Sequence, residues 1–255
     1  MTISKLRAFT IHLSISLVIF VVLSWFLLFR WFPGELFHID GGWQGMRIIA
    51  AVDLVLGPML TLIFYKPGKP KVVFDLSMIA AVQVIALVYG VWSAHAQSTV
   101  ALAFVEGRFV TVANAALKAG DAEMQALDLP IQSLDDVDQH LPAQIWVVAP
   151  SQDSLNLYYN EVLSGMPELH ERSRRFRKLS ENIDKILPYE VTLASLKNQS
   201  PAQHDATVTY FSEHAVSAQT HRIFKLKARY GRALAFVSRE SGIIDDLMVV
   251  PEALQ

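Results

Sequence analysis

A single carboxylate, Asp53, stands inside the otherwise apolar run RIIAAVDLVLGPML at 47–60. A carboxylate in hydrocarbon costs on the order of a few kcal/mol even on mild insertion scales, so it needs a partner. Arg47 lies nearly two turns away on the same segment, His12, Ser14 and Ser16 lie upstream, and Gln83 and Tyr89 lie downstream. Depth favours Gln83 or Tyr89, because His12 and the serines start near the opposite end of their own segment. The group suits a polar lock between helices, a docking point for another transmembrane helix, or one internal hydrogen bond. An ion or proton pathway would need further ionisable groups, and the apolar segments offer few. Gly57 and Pro58 follow closely. Pro58 cannot donate to the carbonyl of Leu54, and a bend is expected there.

Other residues of chemical type are weaker candidates. His38 and Asp40 in HIDGGWQG are metal-ligand types, but two ligands in one loop are not a site. Gly41 and Gly42 permit a sharp turn, Trp43 anchors the following segment at an interface, and Glu35, His38 and Asp40 are alternatively contact residues. His204, His214 and His221, with Asp205 and Glu213, match no i,i+4 ligand pair and read as a solvated segment. The chain has no cysteine, which removes thiol nucleophiles and CxxC redox chemistry. It also lacks G-x-S-x-G, H-E-x-x-H and G-x-x-x-x-G-K-[ST]. No metal, cofactor or catalytic set is therefore expected. In HERSRRFRK, Arg172, Arg174, Arg175, Arg177 and Lys178 form either a solvated surface or an electrostatic contact with anionic lipid or an acidic partner, at about 1 kcal/mol per cation. A net charge of -2 and the lack of a DNA-binding motif argue against nucleic acid.

The elements that must position these residues follow from hydropathy. The 255 residues are 52% hydrophobic and 18% charged, with mean hydropathy +0.32, too apolar for an ordinary soluble domain. The excess lies in three blocks giving spans at about 7–31, 46–65 and 72–92, each near or above the roughly 20 residues a membrane helix needs. A cleaved signal peptide is the alternative for the first, but its apolar stretch is too long and FRWFPGEL has no small-x-small site. SAHAQS at 93–98 has an A-x-A pattern, but it follows the third span. Lys5, Arg7, Lys66, Lys69 and Lys71 gather on one side, against Arg30 and Arg47 at the edges of the other connection. That bias puts the N-terminus in the cytoplasm and the region after the third span in the periplasm of a Gram-negative cell. Residues 1–95 then form a three-helix membrane region and 96–255 a periplasmic α+β domain.

Within that domain STVALAFVEGRFVTV reads as two strands about Gly107, VANAALKAG as a short helix stopped by Gly120, and QIWVVAP as a buried strand. Ser151 is expected to cap a helix over SQDSLNLYYNEVLSG, PELHERSRRFRKL to continue as a second helix, and Ser180 to cap SENIDKIL. SPAQHDATVTYFSEHAV is ambiguous with a helical preference. IFKLKARYG, RALAFVSR and GIIDDLMVV close the chain as an antiparallel meander, its second turn at ESG.

FTIHLSISLVIF, WFPGELFHIDGGWQGMRIIAAVDLVLGPMLTLIFYKPGKP and FDLSMIAAVQVIALVYGVWS, in that order, resemble the type IV pilin accessory proteins of the TfpX/TfpZ family. The likeness is weaker over the rest, where IWVVAPS and RALAFVSRESGIIDDLMVV carry it. It implies an inner-membrane protein that assists pilin stability, assembly into fibres or surface display by non-catalytic binding. Its implied partners are a type IV pilin, the assembly machinery and membrane lipid, and it implies no catalytic residues. Two-part recognition follows as an expectation: Asp53, Gly57, Pro58, Trp43 and Gln83 serve helix packing or pilin-helix contact, while the soluble domain meets the pilin head. The alternatives are a periplasmic sensor of pilus production and an enzyme modifying pilin or envelope glycans.

Overall fold

The computed structural model describes residues 4–66, 72–150, 155–163 and 165–251. The KPGKP turn and the Ser151 cap lie outside the described residues. By internal contacts the chain divides into two units, one of residues 1–37 and 41–98 and the other of 38–40 and 99–255.

The first unit holds three helices long and apolar enough to cross a membrane. Helix α1 runs Lys5–Trp31, its last five residues Leu27–Trp31 in π register. Ser4 caps its start by accepting the Arg7 N–H at 3.3 Å. After the short α2 (Leu36–Ile39), helix α3 runs Gly42–Phe64, and α4 runs Val72–Ala96. The second span therefore begins four residues before the expected Met46. Gly41, at φ 115°, makes the entry turn, and a Cβ on Gly42 would meet the Phe37 side chain at 2.4 Å. Near the Trp31 end the three helices close on a core of Leu27, Phe32, Phe37, Ile49 and Ala94.

The second unit is α+β around a seven-stranded mixed sheet of order β4-β3-β1-β2-β5-β6-β7. β1 (Thr99–Val105) and β2 (Arg108–Ala113) form a hairpin whose turn residues Glu106 and Gly107 both have positive φ, as a tight right-twisting hairpin demands. β3 (Ala143–Val147) pairs parallel to β1, and β4 (Phe176–Lys178) antiparallel to β3. β5 (His221–Lys227) pairs parallel to β2 over a short stretch and continues into β6 (Arg232–Ser238) and β7 (Ile244–Val250) as the expected antiparallel meander. Ala101, Ala103, Ile145, Val147 and Phe176 bury one cluster, and Leu196, Ile223, Leu234, Phe236 and Met248 another.

Helices α5 (Asn114–Ala126), α6 (Leu134–Val137), α7 (Leu155–Leu163), α8 (Ile183–Ile186), α9 (Leu193–Gln199) and α10 (Pro201–Glu213) complete the unit. Three local expectations need correction. Gly120 does not stop α5, which runs six residues further. A Cβ there would sit 2.0 Å from the carbonyl oxygen of Glu171, so the glycine serves close packing. The segment PELHERSRRFRKL is not a helix but two 3-10 turns, Leu169–Glu171 and Ser173–Arg175, leading into β4. Glu168 and Glu171 form a reciprocal capping box on the first turn. Gln132 then holds the exit by donating through Nε2 to the Phe176 carbonyl at 2.9 Å. Finally, Asn182 rather than Ser180 stands at the start of α8.

Candidate functional site

Asp53 is 1% exposed, at the middle of the first unit. Ser16 Oγ of α1 donates to its Oδ1 at 3.1 Å, and Gln83 Nε2 of α4 donates to the same oxygen at 3.0 Å. The three membrane helices thus meet on one carboxylate oxygen. Gln83 was an expected partner. Ser16 was expected to be a poor match in depth because it starts near the opposite end of its helix, yet it reaches the carboxylate. Counted from Gly42, Asp53 is about 16 Å along α3, and Ser16 is about 22 Å from Trp31 at the same end of α1. Tyr89 is 66% exposed and takes no part.

Backbone geometry prepares the cluster. Residues Ala51–Leu56 form a π turn in which Gly57 N donates to Val52 O, so the helix absorbs an extra residue just before Pro58, whose missing N–H has no place in the ladder. Gly57 lets α4 approach: a Cβ there would fall 2.2 Å from Gln83 Nε2. Gly57, Pro58 and Thr61 are buried on the inward side of α3. Thr61 Oγ1 and His12 Nδ1 share a hydrogen bond at 2.6 Å, forming a second polar level. The structure therefore brings Asp53, Gly57, Pro58 and Gln83 together. Trp43 stands apart at the helix start, 48% exposed and edge-on to Phe37.

The other oxygen of Asp53, Oδ2, is buried with no hydrogen-bond partner among the described residues. Asp53 is among the residues lining a cleft of about 440 Å³ between α1 and α4, floored by α3. Helix α3 packs against both neighbours, whereas α4 meets α1 chiefly at the π turn Leu27–Trp31. The bundle is closed at that end, and farther along α1 and α4 touch again at the level of Asp53, where Gln83 Nε2 donates to Ser16 Oγ at 3.4 Å. Chemically the cleft combines apolar walls with an acceptor oxygen that has no donor among the described residues.

In the second unit Asp40 is 0% exposed. Its carboxylate accepts from Thr99 Oγ1, from Thr111 Oγ1 at 2.8 Å and from Arg229 N at 3.0 Å, while Tyr230 N donates to Ile39 O at 2.8 Å. The side chain is an anchor inside the fold rather than a surface contact.

The basic run does not make a cationic face. Arg172 is wholly buried, its Nη1 on Glu161 Oε2 at 2.6 Å, its Nε on Pro167 O at 2.8 Å and its guanidinium 5.8 Å from the Tyr158 ring centre. Arg175 donates to Val148 O at 3.0 Å, and burial first, then Arg174 and Arg172, lowers its pKa. Arg174 and Lys178 are half-buried, and only Arg177 of the five is exposed. A helix would spread the five over more than one face; the 3-10 turn Ser173–Arg175 and β4 instead turn all but Arg177 at least partly into the domain.

The histidines are likewise dispersed. His204 lies beside exposed Asp205, His214 stacks on Tyr210 with ring centres 3.7 Å apart, and His221 bridges Thr220 at 2.8 Å and Asp245 at 3.2 Å. Among the described residues no three acidic or histidine side chains cluster as a metal site would require. A cleft of about 350 Å³ that sequence reasoning missed is lined by Glu106, Arg108, Thr111, Tyr158, Glu168 and His170, with others. Its residues come from five separate stretches, so no local motif announces it.

Three membrane-length helices followed by a mixed-sheet α+β domain, with a polar cluster at the heart of the bundle, define a membrane-associated protein. Comparison sharpens this. The chain is 30% identical over 96 residues, 37% of its length, to the fimbrial assembly protein of serogroups C1 and C2 of Dichelobacter nodosus, of which the match covers 73%. It is equally similar to the serogroup E1 and serogroup I fimbrial assembly proteins of that organism, where the match covers only 37% of each. The chain belongs to this family of fimbrial assembly proteins. No family model and no solved structure matches it.

Proposed function

We propose that the protein is a type IV pilin accessory factor that binds the pilin in the membrane and assists its stability, assembly or display without catalysing a reaction on it. The observation that supports this best is the half-satisfied carboxylate of Asp53 facing a cleft within the helices. Such an oxygen suits recognition of a donor. The family's relatives are named for fimbrial assembly, which agrees. The helices engage the membrane part of the pilin and the α+β domain its head. The excess of Lys and Arg at the N-terminus and around residues 66–71 orients the N-terminus to the cytoplasm, which puts the α+β domain in the periplasm and the helices in the inner membrane.

A deletion strain tests the reading. Loss of fibres with pilin still made at its normal mass is the expected result. Altered pilin mass would point to a modifying enzyme, and altered pilin transcript to a sensor. Reporter fusions at Ser98 test the orientation: activity of a cytosolic reporter there would reverse it.

A further inference from the structure

We infer that the cleft between α1 and α4 receives three turns of one further transmembrane helix, which brings a hydrogen-bond donor to Asp53 Oδ2; this rests on the accessory reading above and specifies its membrane contact. The cleft's walls are apolar, with Ile11, Ile15 and Ile19 from α1 and Leu76, Val84 and Leu87 from α4. From Ala8 to Ile19 it extends about 16 Å along α1, three turns of helix. Its floor is polar at two levels, Asp53 and the His12–Thr61 pair. Ile15 and Val84 on its walls are 56% and 57% exposed, so nothing in the bundle covers them.

The chemistry selects the occupant. A buried acceptor without a donor is expensive in hydrocarbon, where no water replaces the missing bond. A lipid acyl chain would match the walls and leave Oδ2 as it is. A helix carrying a hydroxyl, amide, amine or protonated acid at that depth satisfies the oxygen and packs the walls together. A fourth helix would also complete a four-helix bundle, with α3 opposite the newcomer. No described residue of the unit supplies that donor: Ser16 and Gln83 both donate to Oδ1.

The test places a photo-crosslinking phenylalanine analogue, one position at a time, in the full chain in pilin-producing cells. Ile15 and Val84 line the cleft, while Val21 and Ile85 are exposed elsewhere on the same helices. The expected result is a crosslink to the pilin's membrane helix, identified by mass of the joined peptides, at least tenfold stronger from the first pair than from the second. Ala80→Trp, which fills the cleft from an exposed wall position, should abolish that crosslink while the detergent-solubilised chain melts as the parent does. Equal yields at all four positions, a crosslink to lipid or to a second copy of the chain, or a yield untouched by Ala80→Trp in a folded variant would each overturn the inference. The accessory reading fails separately: fibres that persist in the deletion strain refute it. Pilin crosslinks found only from α+β-domain positions such as Tyr159 or Tyr230 would instead sink the cleft and leave that reading standing.

Discussion

Removing the Asp40 carboxylate should unlatch the middle of the sheet. Asp40→Ala strands three donors at once: the hydroxyls of Thr99 and Thr111 and the backbone N–H of Arg229. Hydrogen bonds to a charged acceptor contribute about 1.5–3 kcal/mol each, and the relief of no longer burying the carboxylate works against that total. Deleting one partner of a buried charged network costs about 3–5 kcal/mol net. Asp40→Asn differs. Its amide oxygen replaces Oδ1, which serves both Thr111 and Arg229, and its NH2 replaces Oδ2 facing Thr99, whose hydroxyl turns to accept instead of donate. The amide should therefore cost only about 1 kcal/mol.

At about 2–4 °C per kcal/mol for folds of 150–250 residues, Ala lowers the melting midpoint by roughly 6–20 °C and Asn by roughly 2–4 °C. The measurement is thermal unfolding of the full detergent-solubilised chain by circular dichroism. Thr99→Val should cost clearly less in the Asp40→Ala background than in the parent, because the two share one interaction. An Asp40→Ala midpoint within 2 °C of the parent would refute the anchor. Asn as damaging as Ala would refute the hydrogen-bond account and point to a need for the negative charge itself.

Gly57→Ala should push the Gln83 amide off Asp53 and cost about 0.6–2 kcal/mol, the range for polar contacts between membrane helices; Gln83→Ala added to it should then cost little more. Additive losses in melting midpoint would show that the two residues act independently. Gly120→Ala gains up to about 1 kcal/mol in helix propensity but drives a methyl onto the Glu171 carbonyl, so overpacking of about 1–3 kcal/mol should decide the sign and lower the midpoint. A raised midpoint would mean that α5 shifts freely. The Tyr158 phenol is pushed up by burial first and then by Glu106 and Glu168, with Arg172 opposing. A raised folded pKa means the folded chain holds the proton more tightly, so this contribution is whole below the usual tyrosine value of about 10 and is lost as pH climbs through the folded one. Tyr158→Phe should flatten the fall of the melting midpoint between about pH 9 and pH 11, and parallel curves would contradict the assignment.

What the sequence reveals and what it hides divide along the range of the interactions. Hydropathy is a sum over a window, so the three membrane helices are legible although their ends are not. Strand alternation in IFKLKARYG and RALAFVSR is equally local, and the meander is readable from it. Asp40 is the opposite case. Its donors lie 59, 71 and 189 positions away, and no neighbour in HIDGGWQG hints at them. The arginine run fails for a related reason: charge in a helical window signals solvent, but Arg172 is held by Glu161, the Pro167 carbonyl and the Tyr158 ring, which meet only once the chain turns back.

Asp53 shows where counting depth along separate helices fails. From Gly42 the carboxylate is about 16 Å along its helix, and Ser16 is about 22 Å from Trp31 at the same end of α1, yet the two bond at 3.1 Å. The residues that set this start are Gly41 with its positive φ and Gly42 with Phe37 against its missing side chain, a turn visible as two glycines but not as the first turn of a helix. The π turn ahead of Pro58 adds a further residue that no window average detects. The type of group at the centre of the bundle is therefore legible from one letter in an apolar run. Which of its two oxygens remains free follows only from how Ser16 and Gln83 of the flanking helices approach it in the folded bundle.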